Sequence, residues 1–321
     1  MRSLFKPPRL LKNPHIQTIL PLLLSTKRAN YYTQEYTFSD GDFTDLVWNK
    51  KPEQPHNIVV LFHGLGGSIN SHYIQGMMQA LQEIGFASVL MHFRGCSGRP
   101  NKTKRMYHAG ETEDARAFIE SLQQEYPKSK IHAIGYSLGA NMLLKLLASY
   151  QDNSPLSSAI AISAPLELEK CTRYINRGFA KVYQSYLLKD LKSALLVKVQ
   201  KLDLKTDFGL DRARVKKIKT IFEFDDIYTA PVHGFKNAVD YYKQNSSRQF
   251  LKDIKVKTLL IHSLDDPFMP SSVFPSKEEI SEAIIYEVGN FGGHVGFIEG
   301  SLIKPKFWLE KRVKRFFKES V

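Results

Sequence analysis

The 321-residue sequence predicts an α/β fold: a mostly parallel central sheet, helices on both its faces, and a helical cap inserted late in the chain. Two patterns support this. Short apolar runs alternate with stretches of helical composition, as strand-crossover-strand units require. Those runs are apolar throughout rather than at every second residue, which suits strands buried on both faces. A third observation fixes the chemistry to the architecture. Gly135-Tyr136-Ser137-Leu138-Gly139 stands directly between a strand-like run and a helix-like one.

The elements follow in order. Residues 31–48 alternate and turn at Asp40-Gly41, a hairpin signal that predicts an antiparallel entry to the sheet. The strand Asn57 to Phe62 ends at His63-Gly64-Leu65-Gly66-Gly67-Ser68. A helix around 72–84, a strand from Ala87 to Phe93 and a helix around 111–124 come next. Ile131 to Ile134 reads as a buried strand, and Asn141 to Ser149 as a helix without a breaker. Ala159 to Ser163, Thr258 to His262 and Ala283 to Val288 are further apolar strands, and the helix Phe307 to Phe317 follows them. More than ninety residues separate the strands near Ser163 and Lys257, far beyond a simple crossover. Their helical composition, strongest from Arg177 to Leu202, predicts a cap over roughly 166–250, inserted in a single domain spanning 1–321.

Composition is that of a globular protein, 43% apolar and 24% charged. Cys96 and Cys171 are far apart and have no metal-ligand spacing, so packing in a reduced, cytoplasmic protein is expected. The run Ile19 to Leu24 is too short to span a membrane and contains Pro21. Prolines 7, 8 and 14 and the lack of a small-residue cleavage site argue against a signal peptide. The net charge of +13 is uneven: residues 1–30, 166–220 and 301–321 together carry +19, which leaves the remainder at −6. The basic segments show no nucleic-acid-binding signature, so no nucleic-acid partner is expected. An anionic membrane surface fits the same charge, as does plain solvation.

The Gly135–Gly139 string has the form of a nucleophile elbow. Its glycines flank Ser137 because a turn this tight leaves no room there for side chains. A serine hydroxyl needs a histidine to take its proton and a carboxylate to orient that histidine. On sheets of this type the three follow in the order serine, acid, histidine. Of the ten histidines, His294 in Phe291-Gly292-Gly293-His294-Val295-Gly296 is the one that follows the acidic turn Asp265-Asp266-Pro267-Phe268-Met269-Pro270. Asp266, four residues before Pro270, is favoured as the acid over Asp265, which would then serve the turn. Asp225 and Asp226 precede that strand and read as loop or helix-cap groups. The oxyanion hole is expected from the backbone N–H groups of Leu65 and Leu138, and His63 is expected to orient the first of these loops. No metal or cofactor is implied.

Several strings resemble the YheT branch of the α/β-hydrolase superfamily nearly end to end. They are Asn13-Pro14-His15-Ile16-Gln17-Thr18, His63-Gly64-Leu65-Gly66-Gly67, Phe93-Arg94-Gly95-Cys96-Ser97-Gly98, the elbow, Asp265-Asp266-Pro267 and Gly292-Gly293-His294-Val295-Gly296-Phe297. The resemblance implies a serine esterase or lipase of the α/β-hydrolase fold, with Ser137, Asp266 and His294 as its triad. The expected substrate is a small-molecule or lipid ester with a short- to medium-chain acyl group. An alcohol acyltransferase using the same acyl-enzyme is an alternative, and so is a binding protein on a hydrolase fold. The usual mark of the latter is a lost triad residue, and all three are present. Oligomeric state is not legible.

Overall fold

The computed structural model describes residues 3, 5–24, 30–53, 56–301 and 304–319. The apolar run set aside as too short for a membrane span is the second half of a helix, α1 (Pro14–Leu23). Asn13 caps it by accepting the N–H groups of His15 and Ile16, and Pro14 takes the first turn, where no N–H is needed. Strand β1 (Tyr32–Thr37) then pairs antiparallel with β2 (Phe43–Trp48) across the Asp40-Gly41 turn.

The sheet continues through β3 (Asn57–Phe62), α2 (His72–Glu83), β4 (Ala87–Met91), α3 (Glu113–Glu125), β5 (Lys130–Tyr136), α4 (Leu138–Tyr150) and β6 (Leu156–Ile162). β4 stops at Met91 rather than Phe93 because the Phe93 N–H is diverted to the ring of His63, 3.1 Å away. Eight strands lie in the order β1-β2-β4-β3-β5-β6-β7-β8, with β7 (Thr258–Ser263) and β8 (Ile284–Gly289) at the far edge. All pairings beyond β2–β4 are parallel.

In the strands inside the sheet the pleat sends alternate residues into two cores. Ile58, Val60 and Phe62 of β3 join the larger core, which includes residues of α3 and α4. Val59 and Leu61 join the other, with Met77 and Leu81 of α2. That second core is closed by Val313 and Phe317 of the last helix, Trp308–Lys318. A two-stranded ribbon, β9 (Ile298–Gly300) with β10 (Pro305–Phe307), precedes this helix and was not foreseen.

Between β6 and β7 the chain is helical: α5 (Leu168–Ile175), α6 (Lys181–Lys201), α7 (Leu204–Phe208), α8 (Arg212–Lys217), α9 (Ile221–Phe224), a π-helical turn at Asp225–Thr229, α10 (Ala230–Val232) and α11 (Ala238–Asn245). Asp226 lies within the π-helical turn, and its carboxylate accepts the Ala238 N–H at the start of α11, whose N-cap is Asn237. The loop or cap reading of Asp225 requires correction. Asp225 opens the π-helical turn and is buried, its carboxylate accepting the hydroxyls of Tyr242 at 2.6 Å and Thr229 at 2.7 Å. Among the described residues no helix is long and apolar enough to cross a membrane.

Candidate active site

Ser137 sits where β5 passes into α4, with φ +50° and ψ −116°. Few non-glycine residues hold such a conformation, and it persists only where the surroundings enforce it. Here the Ser137 N–H is pinned to the Ile162 carbonyl of β6 at 2.8 Å. The flanking glycines are dictated by close approach. A Cβ on Gly135 would lie 2.5 Å from the Gly139 oxygen, and one on Gly139 would lie 2.5 Å from the His63 oxygen. Among the described residues, four others have positive φ without being glycine: Gln151 at the C-terminal end of α4, and Ser163, Val295 and Phe297.

His294 Nε2 is 2.9 Å from Ser137 Oγ, and its Nδ1 is 2.8 Å from Asp266 Oδ2. The second Asp266 oxygen accepts the Phe268 N–H at 2.8 Å, which fixes the carboxylate plane. Asp265 points elsewhere: it accepts the Gly293 N–H at 3.0 Å, and burial raises its pKa. Phe268 stacks on the imidazole, centroids 3.9 Å apart and planes 4° apart. His72, half-buried, is pushed down to about 4 by desolvation, with the His294 charge adding to the effect. It is therefore neutral at physiological pH.

The histidine loop is held by α1. Thr18 Oγ1 accepts the His294 N–H at 3.0 Å and donates to the Pro14 carbonyl at 2.8 Å. Gln17, fully buried, accepts the Ile298 N–H at 2.7 Å and donates to the carbonyls of Leu11 and Ile298. Pro21 has no N–H to offer the Gln17 carbonyl one turn back. Gly296 packs against that carbonyl so closely that a Cβ there would lie 2.0 Å from it. Sequence reasoning missed Thr18, Gln17 and Phe268 as functional positions. The signal available was the Asn13–Thr18 string, whose role is visible only once the helix is docked.

The loop after β3 is fixed from several sides. His63 Nε2 accepts the Phe93 N–H, so its proton lies on Nδ1 and is donated to the Gly64 carbonyl at 2.7 Å. Burial, with His92 nearby, lowers the His63 pKa to about 3 and keeps the ring neutral. The N–H groups of Gly64 and Gly66 donate to the hydroxyls of Tyr73 and Tyr107, and that of Gly67 to the Gly64 carbonyl. The Leu65 N–H is left with no acceptor among the described residues. Leu138 opens α4, so its N–H has no preceding turn to bond. Arg94 anchors the neighbouring segment, reaching both Asp114 oxygens at 2.6 and 2.7 Å and Asp40 at 2.6 Å.

Ser137 and His294 open on a cavity of about 420 Å³. Its apolar wall includes Leu65, Met106, Leu138, Leu168, Ile221 and Phe224. Burial raises Asp225, in the same wall, to about 6, with the Asp226 charge adding and the two bound hydroxyls opposing. A second set of groups, His108, Glu111 and His233, brings ligand-type atoms within 4.8 Å of one another. It fits a cation poorly. Arg105 holds Glu111 at 2.6 Å, and the Gly110 N–H takes up Nδ1 of His108.

An α/β-hydrolase-fold family model matches residues 57–301. The candidate esterase YheT of Escherichia coli is 44% identical over 96% of this chain and 91% of its own. The chain belongs to the α/β-hydrolase family, in its YheT-like branch. Membership of this branch makes the protein a carboxylic ester hydrolase. A medium-chain fatty acid ethyl ester synthase/esterase of Saccharomyces cerevisiae is 30% identical to this hydrolase, over 81% of the chain and 61% of the yeast protein. The Pyrococcus furiosus esterase Pf2001 superposes with a TM-score of 0.59 at 19% identity, over 98% of each chain, a likeness of fold alone.

Proposed function

We propose that this hydrolase cleaves short- to medium-chain carboxylic esters through an acyl-enzyme on Ser137, with His294 as base and Asp266 orienting it. The Leu65 and Leu138 N–H groups would hold the oxyanion, and the helical stretch of roughly 166–250 would form a cap within one domain. One observation carries this reading: the unbroken Asp266–His294–Ser137 chain of 2.8 and 2.9 Å at the mouth of an apolar cavity. With its proton on Nδ1 facing Asp266, the imidazole presents a lone pair at Nε2. It takes the Ser137 proton as Oγ attacks the ester carbon and returns it to the leaving alcohol. Water, activated the same way, releases the acid.

The short- to medium-chain preference is supported by the apolar wall and by the yeast relative's name. A series of p-nitrophenyl esters from acetyl to palmitoyl tests it. Turnover is expected to peak below the long-chain members and to fall on the order of 10⁵–10⁶-fold in Ser137→Ala. A flat or purely long-chain profile would reject the preference, and unchanged turnover in the variant would reject the nucleophile.

A further inference from the structure

Twelve large apolar side chains are exposed among the described residues, and half of them come from two adjoining helical segments. α1 contributes Ile16, Leu22 and Leu23, while α6 and the turn before it contribute Phe179, Val182 and Tyr186. All except Ile16 are more than half exposed. The segments touch: His15 packs on Phe179 with centroids 4.5 Å apart, and its Nδ1 is 2.8 Å from the Tyr183 hydroxyl. Phe179, Val182 and Tyr186, spaced three and four apart, form one stripe. Leu22 and Tyr186 also line the cavity that Ser137 faces. The apolar patch is therefore the rim of the candidate site.

Its charge is one-sided. From Arg177 to Lys189 the chain carries Arg177, Lys181 and Lys189, all exposed, and no acid. Arg177 and Lys181 make no ion pair among the described residues. α1 has no acidic residue, and Asp190 follows Lys189 directly at the cavity wall. Contiguous exposed apolar side chains mark an interaction surface. Exposed apolar groups interleaved along α6 and the turn before it with the cations Arg177 and Lys181 match an interface where acyl chains lie beneath anionic headgroups.

We propose that this rim docks the protein peripherally on an anionic lipid surface, with Leu23 and Val182 entering the headgroup boundary and Arg177 and Lys181 contacting lipid phosphates. Docking would bring a lipid-borne ester to the cavity mouth without exposing its acyl chain to water. The docking stands apart from the catalytic reading, which it uses only to name what enters the cavity.

Co-sedimentation with phosphatidylcholine vesicles, with and without phosphatidylglycerol, tests it. Binding is expected with phosphatidylglycerol present, and weakened by added salt. Arg177→Glu with Lys181→Glu is expected to weaken it by about fivefold or more per residue, and Leu23→Ser with Val182→Ser by about tenfold or more. The serine pair should leave hydrolysis of a water-soluble ester unchanged, which shows that the protein is folded. Ser137→Ala should bind vesicles like the wild type, so loss of catalysis and loss of docking are read separately. No binding, equal binding to both vesicle types, or a dimer that the serine pair dissociates would overturn the proposal.

Discussion

The ring of Phe268 lies flat on the imidazole of His294, centroids 3.9 Å apart. The same residue's N–H holds Asp266, so one loop sets both the acid and the face of the base. An aromatic face over a ring that gains charge during turnover favours the charged form. Phe268→Leu is expected to lower kcat roughly tenfold, with Phe268→Tyr close to wild type. Steady-state kinetics on a soluble ester check this, and equal losses in both variants would count against the stacking role.

The two neighbouring aspartates should separate cleanly. Asp266→Asn would present an amide to Nδ1 and favour the wrong tautomer, with an expected loss in kcat of about 10⁴-fold. Asp265→Asn removes only an acceptor for the Gly293 N–H and is expected to cost far less. Kinetic parameters of both variants decide the assignment.

The docking of α1 on the histidine loop predicts an effect from a residue far from the reacting atoms in sequence. Thr18→Val leaves the buried His294 N–H without its acceptor, a cost of about 1–3 kcal/mol. If that cost falls on the positioning of the imidazole, kcat drops by about 10–100-fold while KM holds, and Thr18→Ser restores activity. A change confined to KM would contradict this role.

Asp225 gives the pH dependence. Its carboxyl is raised from 3.8 to about 6 in the fold, so the native state binds its proton more tightly than the unfolded chain does. The stability it contributes is complete below about pH 3.8 and is lost as pH rises through 6. The loss is on the order of 3 kcal/mol. Asp225→Asn cannot lose it, so urea unfolding should find the variant gaining on the wild type between pH 4 and pH 8. A difference independent of pH would show that the carboxyl is not held this way.

Much of this arrangement was legible in the residues. Continuous apolar runs announce strands buried on both faces, and β3 begins and ends where its pattern does. The order of Ser137, Asp266 and His294 along the chain picked out groups that lie within hydrogen-bond reach of one another. What escaped depends on tertiary contact. α1 carries an internal proline that reads as a breaker, and it is stabilised by Thr18 and Gln17 bonding to the His294 loop and to β9, almost three hundred residues away. Asp225 looked like a loop residue because nothing local reveals that Tyr242 and Thr229 will bury it. β4 is shortened by one amide turned toward His63, a diversion that no propensity encodes.

Labelling with a fluorophosphonate probe, followed by peptide mapping, tests the proposed nucleophile most directly. The folded protein should take up one label, on Ser137, with labelling slowed severely in His294→Ala and absent in Ser137→Ala. Uptake on another residue, or none on Ser137 in folded protein, would contradict the serine mechanism.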